Sequence, residues 1–220
     1  MKPFILLPLL FVGILNVYTQ NSKDAVLWSS LGIEKKINER INAELEQQFR
    51  FIENYSYLNN AFTELSVSYK LTTEFKLAGS YRLSNRFDER IGHYMRNRYS
   101  IDASYRYKIK KMAITFRTRF QNTSDNRGDR TNAIYSRNKI AFAYSVNNYI
   151  NPSIYADLYS PLNLGSDAAD IIDRYRLGIS NELKASKKIS VSSAFIFQKS
   201  VGVSNPPKDY IVSIGLYYKL

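Results

Sequence analysis

The chain has 220 residues, a formal net charge of +12, no cysteine and one histidine, His93. Without thiols there can be no disulfide, thiolate metal site, Cys nucleophile or lipidated N-terminal Cys, and one histidine cannot build a multi-His centre, so no cofactor and no metal are expected. Tyr (18) outnumbers Phe (12) beside a single Trp, and a ring with a polar tip suits a membrane–water boundary.

Residues 1–19 differ in kind from the rest. Lys2 supplies a short positive head, Phe4 to Val17 are almost uninterrupted apolar residues, and Val17 and Thr19 can flank a cleavage point ahead of Gln20. This predicts a signal peptide over 1–19, removed on export; the run is short for a membrane span and Pro8 interrupts it. An exported chain leaves the cytoplasm, so nucleic acid is not the partner that the basic charge would otherwise suggest.

After Gln20, period-two alternation dominates, the pattern of strands with one apolar face. Around 25–37, Leu27, Leu31 and Ile33 oppose Trp28, Ser30 and Glu34, which puts the only Trp on the polar face. Ile41, Ala43, Leu45, Phe49 and Phe51 then oppose Asn42, Glu44, Glu46, Gln48 and Arg50, with Gln47 the exception. Leu65, Val67, Tyr69 and Leu71 follow, then Phe75, Leu77, Tyr81 and Leu83 against Lys76, Ser80 and Arg82. A long segment sets Met95, Tyr99, Ile101, Ala103, Tyr105 and Tyr107 against Arg96, Arg98, Ser100, Asp102, Ser104 and Arg106. Next come Met112 to Phe120 with Arg117 and Arg119 on the polar side, Ile140 to Val146 with Arg137 and Lys139, and a short strand at Ser153–Tyr159. Tyr175, Leu177 and Ile179 against Arg174, Arg176 and Ser180, then Ile189 to Phe197 and Tyr210 to Leu220, complete the series. A helical period would scatter these sets around an axis.

Connections near 36–40, 72–74, 109–111, 147–152 and 184–188 are short, whereas those near 53–60, 84–92, 121–133, 160–170 and 199–209 are longer and polar. Transmembrane barrels have this asymmetry, with tight periplasmic turns and longer external loops. The expected fold is all-β: one antiparallel up-and-down transmembrane β-barrel over 20–220, of about 10–12 strands. Eleven segments can be counted, but an odd number puts the chain ends on opposite sides. The expectation is therefore ten or twelve, with 25–37 the doubtful segment. A soluble exported β-barrel that binds a ligand would bury the apolar faces instead.

The segments Leu27-Trp28-Ser29-Ser30-Leu31-Gly32-Ile33-Glu34-Lys35-Lys36, Glu64 to Leu71, Tyr81-Arg82-Leu83, Asp173 to Gly178 and Asp209 to Leu220 resemble an uncharacterised family of outer-membrane β-barrels of Bacteroidota, a domain of unknown function. The resemblance implies the fold and an outer-membrane location, and no activity. The terminal strand also resembles the signal read by the barrel-assembly machinery, with Leu220 in place of the usual Phe.

With the loops outward, Arg50, Arg82, Arg96, Arg98, Arg117, Arg119, Arg137, Lys139, Arg174 and Arg176 fall in the outer half of the lumen. Asp102 and Asp157 fall nearer its middle with Glu64 somewhat above, and Glu44, Glu46 and Glu182 toward the periplasmic end. Two readings stand: an ion-pair network that plugs a narrow barrel, or guanidinium groups in excess that attract phosphate or carboxylate from a solute or from lipopolysaccharide. His93, outward at the external end of its strand, would be the base of a lipid-modifying hydrolase with Ser84 or Ser100. Arg127-Gly128-Asp129 reads as an adhesion tripeptide, and Asp125, Asn126 and Asp129 as a loose Ca²⁺ set without a closing Glu. The leading expectation is a non-enzymatic outer-membrane barrel, either a narrow pore for small anionic solutes or a structural component. Its partners would be outer-membrane lipid, lipopolysaccharide and the assembly machinery.

Overall fold

A computed structural model describes residues 23–88, 92–126, 132–163 and 172–220. The signal peptide predicted over 1–19 and the Arg127-Gly128-Asp129 tripeptide lie outside them. Within them, eleven strands close into one barrel: β1 Lys23–Lys36, β2 Ile41–Ile52, β3 Tyr57–Lys70, β4 Phe75–Asp88, β5 Gly92–Ile109, β6 Met112–Asp125, β7 Ala133–Tyr144, β8 Ile150–Pro161, β9 Arg174–Lys184, β10 Ile189–Ser200 and β11 Lys208–Lys219.

Eleven strands fall within the expected 10–12, but the number is odd where an even one was expected, and the doubtful segment is a full barrel strand, β1. An odd up-and-down series brings the first and last strands together in the same direction, so closure must be parallel. β1 indeed pairs β11 in parallel from Lys23↔Lys208 to Glu34↔Lys219, while the other neighbours are antiparallel. The short strand at Ser153–Tyr159 is the full-length β8, whose Asn151-Pro152 start reads as turn because proline cannot donate to a ladder.

Four of the short connections are built alike. A side-chain oxygen at the turn's start accepts from the two N–H groups that begin the next strand: Asn38 from Arg40 and Ile41, Thr72 from Glu74 and Phe75, Asn147 from Tyr149 and Ile150, Ser186 from Lys188 and Ile189, all at 2.7–3.2 Å. These residues mimic a backbone turn locally, which makes the connection short and sets the register. In the second of them the hydroxyls of Thr73 and Thr72 hold the exposed Glu74 carboxyl below its ordinary range.

The outer wall is apolar. Ile101 is 67% exposed and Ile179 64%, with Leu31, Leu65, Phe116, Phe120 and Ile154 also exposed. That is the reverse of a soluble barrel, and a surface this apolar requires lipid around it. Three pairs of polar side chains on this face bond across strands. Thr63 donates to Gln47 (2.5 Å), Tyr81 to Asn97 (2.6 Å) and Thr118 to Asn138 (2.9 Å), so these donors and acceptors do not go unpaired against hydrocarbon.

The inner wall is mostly polar, with one apolar cluster of Val26, Ile196 and Ile211 against β1, β10 and β11. At the parallel seam the Tyr217 ring lies across Gly32 and Gly215, where any Cβ would run into it. Its hydroxyl reaches over β1 to donate to Glu46 of β2 at 2.9 Å. An aromatic ring laid on a bare glycine restores packing that the glycine lacks. Gly32→Val should therefore drive the ring off the seam, break the Glu46 bond and destabilise the barrel by about 1–3 kcal/mol. The check is the temperature at which the folded band is lost on an unheated gel.

Candidate functional site

Strand alternation carries most of the strands' basic residues inward. All ten that the sequence singles out line one lumenal cavity of about 620 Å³, with Arg86 as an eleventh, against three lining carboxylates, Glu46, Glu64 and Asp157. Arg50, Arg96, Arg98, Arg174 and Arg176 lie toward the long-loop end, while Arg82, Arg117, Arg119 and Lys139 are nearer the middle of their strands.

Part of the charge is paired. Asp102, directly opposite Arg119 on the neighbouring strand, accepts from its Nε at 2.6 Å and Nη2 at 2.7 Å. Arg82 bonds Glu64 at 2.6 Å, and Asp157 takes Arg137 at 2.6 Å with Arg117 at 3.9 Å. Such pairs hold because a narrow lumen screens charge poorly and both partners are already oriented.

Several of the basic side chains, the ion-paired Arg82 and Arg137 among them, also rest on aromatic faces. The Arg82 and Arg50 guanidinium carbons lie 3.6 and 4.9 Å from the centre of the Phe62 ring. Arg50 and Arg176 lie 4.1 and 5.0 Å from that of Trp28, and Arg176, Arg137 and Arg174 lie 4.9, 4.3 and 5.3 Å from Tyr159. The result is a continuous belt, Arg82–Phe62–Arg50–Trp28–Arg176–Tyr159–Arg137, crossing the lumen through alternate cations and rings. Each contact contributes about 0.5–2 kcal/mol, and none of them neutralises a charge. Lys139 likewise sits on Tyr155 at 3.6 Å, and Arg98 donates to the Thr123 hydroxyl at 3.0 Å. Sequence reasoning missed Phe62, Tyr155 and Tyr159 as lumen residues. The sign available was parity, since all three share a face with charged or hydroxyl-bearing neighbours.

His93 points outward, its ring edge-on to Phe87 at 5.0 Å within an aromatic patch that includes Tyr57. Ser84 and Ser100 are buried on the inward face, so neither can be the hydroxyl that His93 activates. Of the loose Ca²⁺ set, Asn126 spends its side-chain oxygen on the Met95 N–H, Asp125 stands opposite Arg96 in the ladder, and Asp129 lies outside the described residues.

A family model for a protein of unknown function, DUF2490, matches residues 25–202. The chain belongs to the DUF2490 family. No curated protein matches this DUF2490 chain. Among solved structures it is similar to the NanC porin, at a TM-score of 0.56 and 16% identity over 90% of this chain and 98% of that one. It is also similar to the beta domain of the Bordetella autotransporter Brka, at a TM-score of 0.45 and 12% identity over 77% and 78%. At such identities the likeness to the porin is one of fold.

Proposed function

We propose that this DUF2490 protein is a non-enzymatic outer-membrane barrel, exported by a cleaved signal peptide, whose narrow lumen passes small anionic solutes. The observation that carries the reading is the imbalance of the cavity, eleven basic residues against three carboxylates. A basic lumen between low-dielectric walls concentrates anions and repels cations. The apolar outer wall supports a membrane location, and lipopolysaccharide phosphates at a basic mouth and the assembly machinery are the partners that such a barrel would meet. The resemblance seen in the sequence supports a source among Bacteroidota.

Reconstituted in planar bilayers, the protein should give a reversal potential that marks anion preference. The preference should fade between about 0.1 and 1 M salt as the Debye length falls from about 10 to 3 Å. Arg98→Gln with Arg174→Gln, neither of which has a carboxylate partner among the described residues, should lower it without altering the folded band. Cation preference would overturn the reading. Absence of steady conductance would favour the second one, a structural barrel closed by its own pairs, for which Arg82–Glu64, Arg119–Asp102 and Arg137–Asp157 speak.

A further inference from the structure

Arg50 projects from β2 and Arg176 from β9, with β10, β11 and β1 between them around the wall, yet both guanidinium groups reach the Trp28 ring. Two like charges are thus brought to one indole inside a narrow lumen. Each is held by its Nε alone: Arg50 donates to Gln48 Oε1 at 2.7 Å and Arg176 to Gln198 Oε1 at 2.6 Å. The two amides in turn donate to carboxylates, Gln48 to Glu46 at 3.3 Å and Gln198 to Asp209. The carboxylate therefore stands one side chain away from the cation. It fixes the amide, the amide fixes the guanidinium, and the guanidinium charge stays uncompensated.

Among the described residues neither arginine has a carboxylate at salt-bridge distance, and no acceptor is bonded to their terminal amino groups. Beside them Tyr159 is only 5% exposed, lines the same cavity and has a buried hydroxyl without a hydrogen-bond partner. A buried hydroxyl left unbonded costs free energy, and so do two like charges brought to one indole without an anion. One ligand relieves both.

We propose that Arg50 and Arg176 clamp a doubly charged tetrahedral oxyanion, inorganic phosphate or a phosphomonoester, with the Tyr159 hydroxyl as a third donor. This rests on the reading of the lumen as a passage for anions and names the anion that pauses there. Two guanidinium forks each require a pair of acceptor oxygens. A carboxylate offers one such edge, whereas a phosphate offers several and matches the charge of two arginines. The aromatic platform and the glutamine locks hold the forks before the ligand arrives, so little ordering is left to offset on binding.

The test is calorimetric titration of the full chain in lipid-free detergent micelles with inorganic phosphate near pH 8, against acetate and chloride at matched ionic strength. Phosphate should bind one per chain, at least about tenfold more tightly than acetate. Arg50→Gln and Arg176→Gln should each weaken it about tenfold or more, and Tyr159→Phe severalfold with the ring kept. Heat-modifiable migration on a gel confirms that each variant is folded, and Tyr159→Phe, the mildest change, keeps the test open if an arginine variant fails to fold. Phosphate binding no tighter than acetate overturns the clamp. So does a folded variant that binds phosphate like the unaltered protein, or displacement of phosphate by a short-chain phosphatidylglycerol, which would make the ligand a lipid headgroup. Because binding is read without a bilayer, phosphate bound without conductance counts against passage alone, and anion-selective conductance without phosphate binding counts against the clamp alone.

Discussion

Ile179→Arg should leave the protein exported but not inserted, whereas Ser180→Arg, one residue along the same strand, should assemble. Ile179 stands mid-strand on β9, 64% exposed on the outer wall between Ile154 of β8 and Phe195 of β10, its register partners on either side. A charge placed there faces hydrocarbon at mid-depth, at a cost of roughly 2–4 kcal/mol, a large share of the net stability of an ordinary domain. Ser180 faces inward, shares a hydrogen bond with the Ser153 hydroxyl at 2.8 Å and lines the cavity. An arginine there reaches water and, two residues further along the same face, Glu182. The measurement is the fraction of each variant that resists urea extraction from membranes and migrates as a folded band. A damaging Ser180→Arg beside a silent Ile179→Arg would invert the assignment of inside and outside.

That assignment was legible in the sequence because a strand's two faces alternate without drift. Once Leu177 and Ile179 are read as outward, Arg174, Arg176 and Ser180 must be inward, and the same parity places every basic residue that the pattern singled out. What parity does not contain is the closure. The pattern yields eleven segments, and the rule that bacterial barrels are even argues for ten or twelve. In the structure the first and last strands instead meet in parallel, a pairing that involves residues nearly the whole chain apart and leaves no local mark except Gly32 opposite Tyr217. The asymmetry of the connections was visible as length. Its cause is visible only in the structure, as the Asn, Thr or Ser that caps four of the turns.

The site divides in the same way. Residues opposite each other in the ladder, such as Asp102 and Arg119, are close to legible, because once two neighbouring strands are recognised only register remains to be found. Contacts across the lumen are not, since Trp28 meeting Arg176 depends on barrel radius and shear, which follow from closure. The lone Trp on a polar face looked like a defect of the first strand, whereas in the structure it is the platform for two arginines. Tyr155 and Tyr159 were hidden for a related reason. Tyrosine is expected at the membrane boundary, and only the inward parity of β8 shows that these two belong to the lumen.

Asp102→Asn should destabilise the barrel by about 3–5 kcal/mol, and by more than Arg119→Gln does. Asp102 is 8% exposed and accepts two hydrogen bonds from Arg119, so either change leaves a buried charge without its partner. The two losses are not equivalent in this lumen. An orphaned Asp102 has Arg117 two residues from Arg119 on the same face of β6, and a shift of that long side chain supplies a replacement. An orphaned Arg119 has no such recourse, because the cavity around it holds eleven basic residues and three carboxylates, of which Glu64 and Asp157 are already bonded to Arg82 and Arg137. Removing both members should cost less than the sum of the single changes, since no buried charge is then stranded. Denaturant midpoints of the four proteins refolded in detergent complete the cycle. Strict additivity, or Arg119→Gln the worse of the two, would mean that the pair does not carry the local charge balance and that the basic excess is tolerated for another reason.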